Sequence, residues 1–443
     1  MPERTSGLLR IRWAVFLSVL IPTGVSTPVR LHEQSLPAPT WNVTNPLVRV
    51  ALTRYTGASV LAIQADPGAR VVDATGRVVA SGAGVFRVRV VGNALTVESD
   101  ALRTAVAALP EGMLRVQPED ADTLLTIWQE PGVRGVYRGS LEVRLQSGGV
   151  QVINEITLEA YLRGVIGSEM GPRAPLEALK AQAVAARTFA LYRIANRRGV
   201  EPFDLRDDAE AQAYAGTRSE SSACDQAVRQ TAGQVLRRAG QLIPALYCAD
   251  CGGRTAPGSS PEDYPPSVSD EDAHALPGGF RASEWVLRYT PEALKPLLRR
   301  HPQLQVEGSL IGVEVVDRDV SGRVLRVRFS FREPLPGGPG GRAISGNAVP
   351  ETGSVAGAVM VREITGAALR ALIGPNVLRS TLFSVRREPG GEIVIRGRGW
   401  GHGRGLCQRG AVALAAPPRA LGFRSILARY YPGAELATLR FEE

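Results

Sequence analysis

Two segments of this chain concentrate the residue types that can move protons or hold a polar ligand. The first reads Leu158-Glu-Ala-Tyr-Leu-Arg-Gly-Val-Ile-Gly-Ser-Glu169-Met-Gly-Pro and leads through Pro175 into the alanine-rich stretch 177–190. The second reads Gly397-Arg-Gly-Trp-Gly-His402-Gly-Arg-Gly-Leu-Cys407-Gln408-Arg-Gly-Ala411. Glu169 stands beside Met170 and ahead of the Gly171-Pro172 turn. A carboxyl in apolar surroundings resists ionisation, so its pKa rises toward the range that suits a general acid near neutrality. The bland alternative is a solvated glutamate in a surface turn. His402 is one of four histidines and lies between Gly401 and Gly403. Such glycine density excludes a regular helix and lets backbone N–H groups come close to a ligand. Neither a GK[ST] nor a GxGxxG context is present, so a nucleotide phosphate loop is not indicated. A tight turn with a packed histidine and a ligand-contacting loop that also uses Gln408 are the remaining readings.

The elements around these residues follow from periodicity. Leu158–Val165 predicts a short helix ending near Gly164, which leaves Glu169 between that helix and the next one. Pro175 suits a first helical turn, and Glu177 suits the positive end of the helix dipole. Leu176, Leu179, Ala183, Ala186 and Ala190 mark one apolar face, while Ala178, Ala181, Ala185 and Leu191 make the other sides apolar too. A helix of that kind is buried nearly all round. Lys180 and Arg187 lie seven residues apart on nearly the same face of it. A buried arginine needs a carboxylate or another acceptor. Either the pair is structural, or it meets an anionic substrate or the carboxylate of Glu169.

The amino-terminal half is strand-rich. Short alternating runs near 48–53, 59–63, 84–91, 94–97, 124–126, 139–145 and 149–153 are separated by turn residues such as Asp66-Pro67-Gly68 and Gly92-Asn93. Downstream, a helix is expected over 223–232, strand-like sequence over 311–331, a short helix over 361–372, a strand over 391–396 and a helix over 423–430. The expected class is α+β, with a β-rich amino-terminal region and a mixed core built on a central buried alanine-rich helix. The expected organisation is an export signal peptide at 1–27, a linker at 28–45, the β-rich region at 46–150 and the core at 151–443. Loop insertions are expected near 255–282 and 333–346, where Pro and Gly accumulate.

Composition narrows the partners. The 443 residues carry a formal charge of +9 and a pI near 9.8. That balance favours an acidic partner, but the arginines are scattered and form no basic stripe, so no nucleic-acid partner is expected. Of 52 basic residues only Lys180 and Lys295 are lysines, which reads as a coding bias. Arg4, Arg10 and Arg12 precede the apolar run Trp13–Ile21, followed by Pro22 and small residues. This describes an export signal; an uncleaved anchor or a start codon placed too far upstream are the alternatives. The expected location is therefore the periplasm or cell wall, with no stable transmembrane segment once the signal is removed. Four cysteines follow, Cys224, Cys248, Cys251 and Cys407. An even count in an exported chain favours two disulfides, while Cys248-x-x-Cys251 also has metal-ligand spacing and free thiols are the third reading.

Together, in this order and at this separation, the glutamate segment and the histidine loop resemble the SpoIID/LytB family. Weaker resemblances fill the interval: Tyr137-Arg-Gly-Ser-Leu-Glu-Val, Gln212-Ala-Tyr214-Ala-Gly, Thr231-Ala-Gly-Gln-Val-Leu, Cys251-Gly-Gly-Arg254-Thr and Arg379-Ser-Thr-Leu-Phe. The resemblance covers roughly residues 46 to 440. It implies a peptidoglycan lytic transglycosylase with Glu169 as general acid and base, cleaving between N-acetylmuramic acid and N-acetylglucosamine. It also implies an alternative, a non-catalytic enhancer of an N-acetylmuramoyl-L-alanine amidase. The partners implied are glycan strands and a cell-wall amidase. Lys180, Arg187, Gln212, Tyr214, Arg254, His402 and Gln408 are the candidate substrate contacts. Because Cys251 and Cys407 each lie in a family motif, Cys251–Cys407 is the expected first disulfide and Cys224–Cys248 the second. Some SpoIID-like proteins place zinc ligands beside the Gln-x-Tyr motif, but here Asp207–Ala211 precedes it with neither Cys nor His. No metal and no cofactor are expected.

Overall fold

The computed structural model describes residues 40–99, 105–109, 112–129, 132, 134–197, 199–208, 211–258, 264–275, 283–333 and 357–442. The expected signal peptide, residues 28–39 of the expected linker and nearly all of the insertion expected at 333–346 lie outside them. Thr40–Thr44, the end of that linker, form a strand paired in parallel with Glu435–Glu442.

The alternating runs become one large sheet. At one edge Leu205–Arg206 pairs with Leu47–Ala51, which pairs with Gly149–Thr157, then Ser140–Gln146, Met113–Pro118, Val60–Asp73, Val78–Val91, Ala94–Ser99 and Ala105–Leu109. Val48, Val50, Leu61, Ile63, Val88, Val97, Leu141 and Val143 point to a shared core, as period-2 alternation requires. The β-rich part thus runs to Thr157 rather than to 150. The expected turn at Asp66-Pro67-Gly68 is instead a bulge inside a fourteen-residue strand. Ala65 pairs with Gly84 and Ala69 with Gly82, so three residues are looped out of register. Proline is tolerated there because a bulge frees its position from the ladder. The bulge also marks where this strand exchanges Leu124–Trp128 for Met113–Pro118 as its neighbour.

Helix α1 (Leu158–Met170) continues past the expected stop at Gly164, so Glu169 sits in its last turn. Its glycines serve packing, not termination. A Cβ at Gly164 would lie 2.6 Å from the Gly216 carbonyl oxygen, and one at Gly167 would lie 1.8 Å from that of Ser219. Helix α2 (Leu176–Arg197) is wrapped as its composition requires. Leu179, Ala183, Ala186 and Ala190 join the core under the large sheet, while Ala178, Ala181, Val184 and Ala185 join a second core. Helix α3 (Ser222–Gln230) is capped by Ser221, whose Oγ accepts the Cys224 N–H at 3.2 Å. Helix α4 (Glu271–His274) falls within the stretch expected to be a loop insertion.

The described residues between 284 and 398 build a third core from two three-stranded sheets with helices α5 (Pro291–Leu298) and α6 (Gly366–Ile373). The helix expected over 361–372 is in fact the strand Val359–Thr365 followed by α6. The switch falls at Thr365, whose Oγ1 accepts the Ala368 N–H and caps the helix. Helices α7 (Gln408–Ala415) and α8 (Phe423–Tyr430) complete the second core against α2. No helix among the described residues is long and apolar enough to cross a membrane.

Candidate active site around Glu169

Three parts of the chain meet at the carboxyl of Glu169. The Ala213 N–H donates to Oε1 at 2.8 Å, and the Tyr247 hydroxyl approaches the same oxygen at 3.3 Å. The Gln408 side-chain amide donates to Oε2 at 3.0 Å. Glu169 remains partly exposed, and no ion pair to its carboxyl is found among the described residues. Burial raises its pKa above the ordinary carboxylate value, and the three hydrogen bonds offset only part of that shift. The carboxyl is thus accessible, oriented by neutral donors and inclined to hold a proton.

Gln212 acts from behind. It is fully buried and donates to the Tyr247 hydroxyl at 3.0 Å and to the Ala186 carbonyl at 3.2 Å, while accepting from Tyr161 at 3.2 Å. Its place is to aim Tyr247 at Glu169. Tyr214 also turns inward: its ring centroid is 4.9 Å from that of Tyr161, and its hydroxyl donates to Asn154 at 2.9 Å. The motif Gln212-Ala-Tyr214 therefore divides into a side chain that orients a donor, a backbone N–H on the carboxyl, and a core anchor.

Of the readings open for Lys180 and Arg187, the structure shows ion pairs with other carboxylates and none with Glu169 among the described residues. Arg187 is fully buried and forms a two-pronged pair with Glu159, at 2.7 Å and 2.8 Å, with a further bond to the Gln234 carbonyl. Lys180 pairs with Glu177 at 2.6 Å, one turn back on its own helix. Seven-residue spacing put both on one face, but each has a nearer carboxylate. Arg254 is half-buried, and its carbonyl accepts from the buried Arg323 at 2.9 Å. His402 makes no hydrogen bond to Glu169 among the described residues. His402 is an exposed residue, yet the protein packed about its ring, with Arg404, Arg323 and Arg370 nearby, pulls its pKa down to about 4. The imidazole is neutral at pH 7, and Nδ1 accepts the Arg404 N–H at 3.0 Å.

The two expected disulfides are not formed, and all four cysteines are free. Cys224 is buried in the core beneath the large sheet, whereas Cys248, Cys251 and Cys407 lie together in the second core. The convergence of Cys251 on Cys407 is real, but it brings three sulfurs together, not two. Tyr247, immediately before Cys248, was not among the residues singled out by sequence. Its signal was only adjacency to the Cys-x-x-Cys-Gly-Gly run.

The segment that contributes Glu169, α2 and the Ala213 N–H has a recognised counterpart. Residues 146–237 match the family model described as Stage II sporulation protein, SpoIID. This segment is similar to the SpoIID family model. Tyr247 and Gln408 complete the site from outside the matched residues. An uncharacterized protein of Brachyspira hyodysenteriae is 29% identical over 309 residues, covering 68% of this chain and 72% of the relative. A protein of Bacillus subtilis named Amidase enhancer is 29% identical over 305 residues, covering 62% of this chain but 40% of its own length. The Stage II sporulation protein D of the same organism is 28% identical over 306 residues, covering 65% and 76%. The similarity to the SpoIID family model thus ties this chain to sporulation and cell-wall proteins.

Proposed function

We propose that this SpoIID-like protein is an exported peptidoglycan lytic transglycosylase in which Glu169 is the proton donor and acceptor. The observation that carries the reading is the state of that carboxyl: accessible, held by three neutral donors, with its pKa raised by burial. Ordinary glycoside hydrolysis uses two carboxyl groups, because a water or a covalent step must be managed on the far face of the sugar. One carboxyl is enough when the substrate supplies its own nucleophile. Protonated Glu169 gives its proton to the oxygen linking N-acetylmuramic acid to N-acetylglucosamine, and the bond from that oxygen to C1 breaks. The carboxylate left behind then takes the proton of the C6 hydroxyl as O6 bonds to C1. A 1,6-anhydro end forms, no water is consumed, and Glu169 returns to its protonated state. His402, neutral and exposed on its glycine-rich loop, is suited to hydrogen-bond a sugar rather than to carry charge.

The relative named Amidase enhancer supports a second reading, in which the same surface binds glycan and assists an amidase without cleaving. Mass analysis of products from purified wall separates the two. Anhydro ends support the proposal, and reducing ends indicate hydrolysis. An absence of products, with faster release by an added N-acetylmuramoyl-L-alanine amidase, favours the enhancer.

A further inference from the structure

Behind the donors of Glu169 lies a cluster that this reading does not use. One ligand atom each from Cys251, Asp270, His274 and Cys407 fall within 4.8 Å of one another, and all four residues are buried. Cys248 is alongside, paired in register with Cys407 across two short parallel strands. We propose that these residues form a structural site for a zinc-class divalent ion, with Cys251, Cys407, His274 and Asp270 as ligands and Cys248 as the adjoining sulfur.

Several observations point the same way. Thiolate and imidazole donors in a closed, buried set select zinc over hard cations such as magnesium. With metal–ligand bonds of about 2.0–2.3 Å, tetrahedral ligands sit about 3.3–3.8 Å apart, so 4.8 Å requires only a small contraction. Cys407 Sγ already accepts two backbone N–H groups, from Cys251 at 3.2 Å and Gly410 at 3.3 Å, an arrangement that suits a thiolate. The outer partners are in place as well. His274 Nε2 lies 3.0 Å from Asp250 Oδ1, which fixes the ring, while Nδ1 lies 3.4 Å from Asp270 Oδ2 and 3.0 Å from the Asp270 carbonyl oxygen, a contact that the ion would replace. The Tyr430 hydroxyl donates to Asp270 Oδ1 at 2.8 Å, leaving Oδ2 inward, where Cys251 Sγ approaches it at 3.2 Å. Gly410 permits the crowding, since a Cβ there would lie 2.3 Å from Asp270 Oδ2. A disulfide would use two sulfurs of three and leave the third beside a buried histidine and carboxylate. An ion uses the whole set, and its binding releases the thiol protons to solvent.

The site would join strand Tyr247–Cys248, the Cys251-Gly-Gly turn, α4 and the start of α7. Tyr247 and Gln408, each adjacent to a cysteine of the cluster, are two of the three donors to Glu169. The metal proposal stands whether or not Glu169 cleaves glycan.

The test is elemental analysis of the full chain purified with its thiols reduced, followed by zinc titration of the chelator-treated protein. About one zinc per chain is expected in the wild type and in Cys224→Ser, and less than about a tenth of that in Cys407→Ser and Cys251→Ser. Asp250→Asn, which alters the outer partner of His274 together with its contacts to Ser283 and Arg409, should weaken zinc affinity about 10–100-fold. Should the cysteine variants fail to fold, cobalt titration of the wild type decides: one equivalent should produce thiolate-to-cobalt charge-transfer absorption. No zinc uptake and no such absorption by reduced, folded wild type would overturn the proposal. So would undiminished zinc in Cys407→Ser, or a native disulfide that includes Cys251 or Cys407 in non-reducing peptide maps of exported protein.

Discussion

Glu169 illustrates how one residue can favour function over stability. Its pKa is raised in the folded protein, so the native state holds the proton more tightly than the unfolded chain does. The stability linked to this group is therefore complete below the ordinary value of 4.5 and is lost as pH rises through the folded value. Above the folded value a partly buried carboxylate remains as a liability, and a neutral isostere removes it. Glu169→Gln should lower the cleavage rate about 10²–10⁴-fold while the melting temperature at pH 7 stays equal to or above that of wild type. A variant that cleaves purified glycan at the wild-type rate would refute the assignment. The same sign governs activity: kcat/KM should fall as pH rises through the pKa of Glu169, because the acid must start protonated. Tyr247→Phe offers a finer test. The lost hydroxyl had stabilised the carboxylate, so the alkaline limb should move to higher pH, a shift that a merely structural tyrosine would not cause.

At the scale of the element, α2 is the pillar of the site because both its faces are buried in different cores. Arg187 serves that pillar by tying α2 to Glu159 of α1 and to the Gln234 carbonyl. Arg187→Met should destabilise by about 3 kcal/mol, since it leaves Glu159 without its partner in a poorly solvated place. Activity per folded molecule should stay near wild type. Lys180→Ala breaks a pair with a half-exposed glutamate on the same helix, worth about 0.3–0.5 kcal/mol, and a contact with the Phe423 ring, and should leave both rate and substrate affinity unchanged. Chemical denaturation read beside glycan-cleavage kinetics distinguishes these outcomes from substrate binding by either cation. A rise in KM for Lys180→Ala would restore it as a substrate contact.

Across the whole molecule, one buried cation helps to join the third core to the turn that follows Cys251. Arg323 leaves the turn before strand Val324–Arg332 and donates to the carbonyls of Cys251 at 2.7 Å and Arg254 at 2.9 Å. No carboxylate pairs with it among the described residues; the carbonyls of the Cys251-Gly-Gly-Arg254 turn serve instead. Arg323→Met should cost about 1–3 kcal/mol by stranding those acceptors, and it should increase proteolysis of the turn. Limited proteolysis with mass mapping checks this; an unchanged cleavage pattern would show that the turn holds without the arginine.

The sequence by itself determined much of the local structure. Alternation marked the strands of the large sheet, and apolar residues on every side marked α2 as a buried helix, because side-chain periodicity is set by neighbours along the chain. Residue 423 to residue 430 forms a helix over the expected span for the same reason. Sequence also singled out Glu169, Gln212 and Gln408, which the fold gathers into one network. Tertiary structure alone decided the partners. Ala213, Tyr247 and Gln408 are 44, 78 and 239 residues from Glu169, beyond the reach of any periodic signal. The same holds for Glu159 as the partner of Arg187, and for Asp270 and His274, which lie in a stretch that composition marks only as loop. Glycines at 164 and 167 resemble a helix stop until the neighbouring backbone is in place, since only that contact shows they permit close packing. Charge pairing, proton affinity and ligand geometry depend on distance in space, and that distance is fixed only when the three cores close.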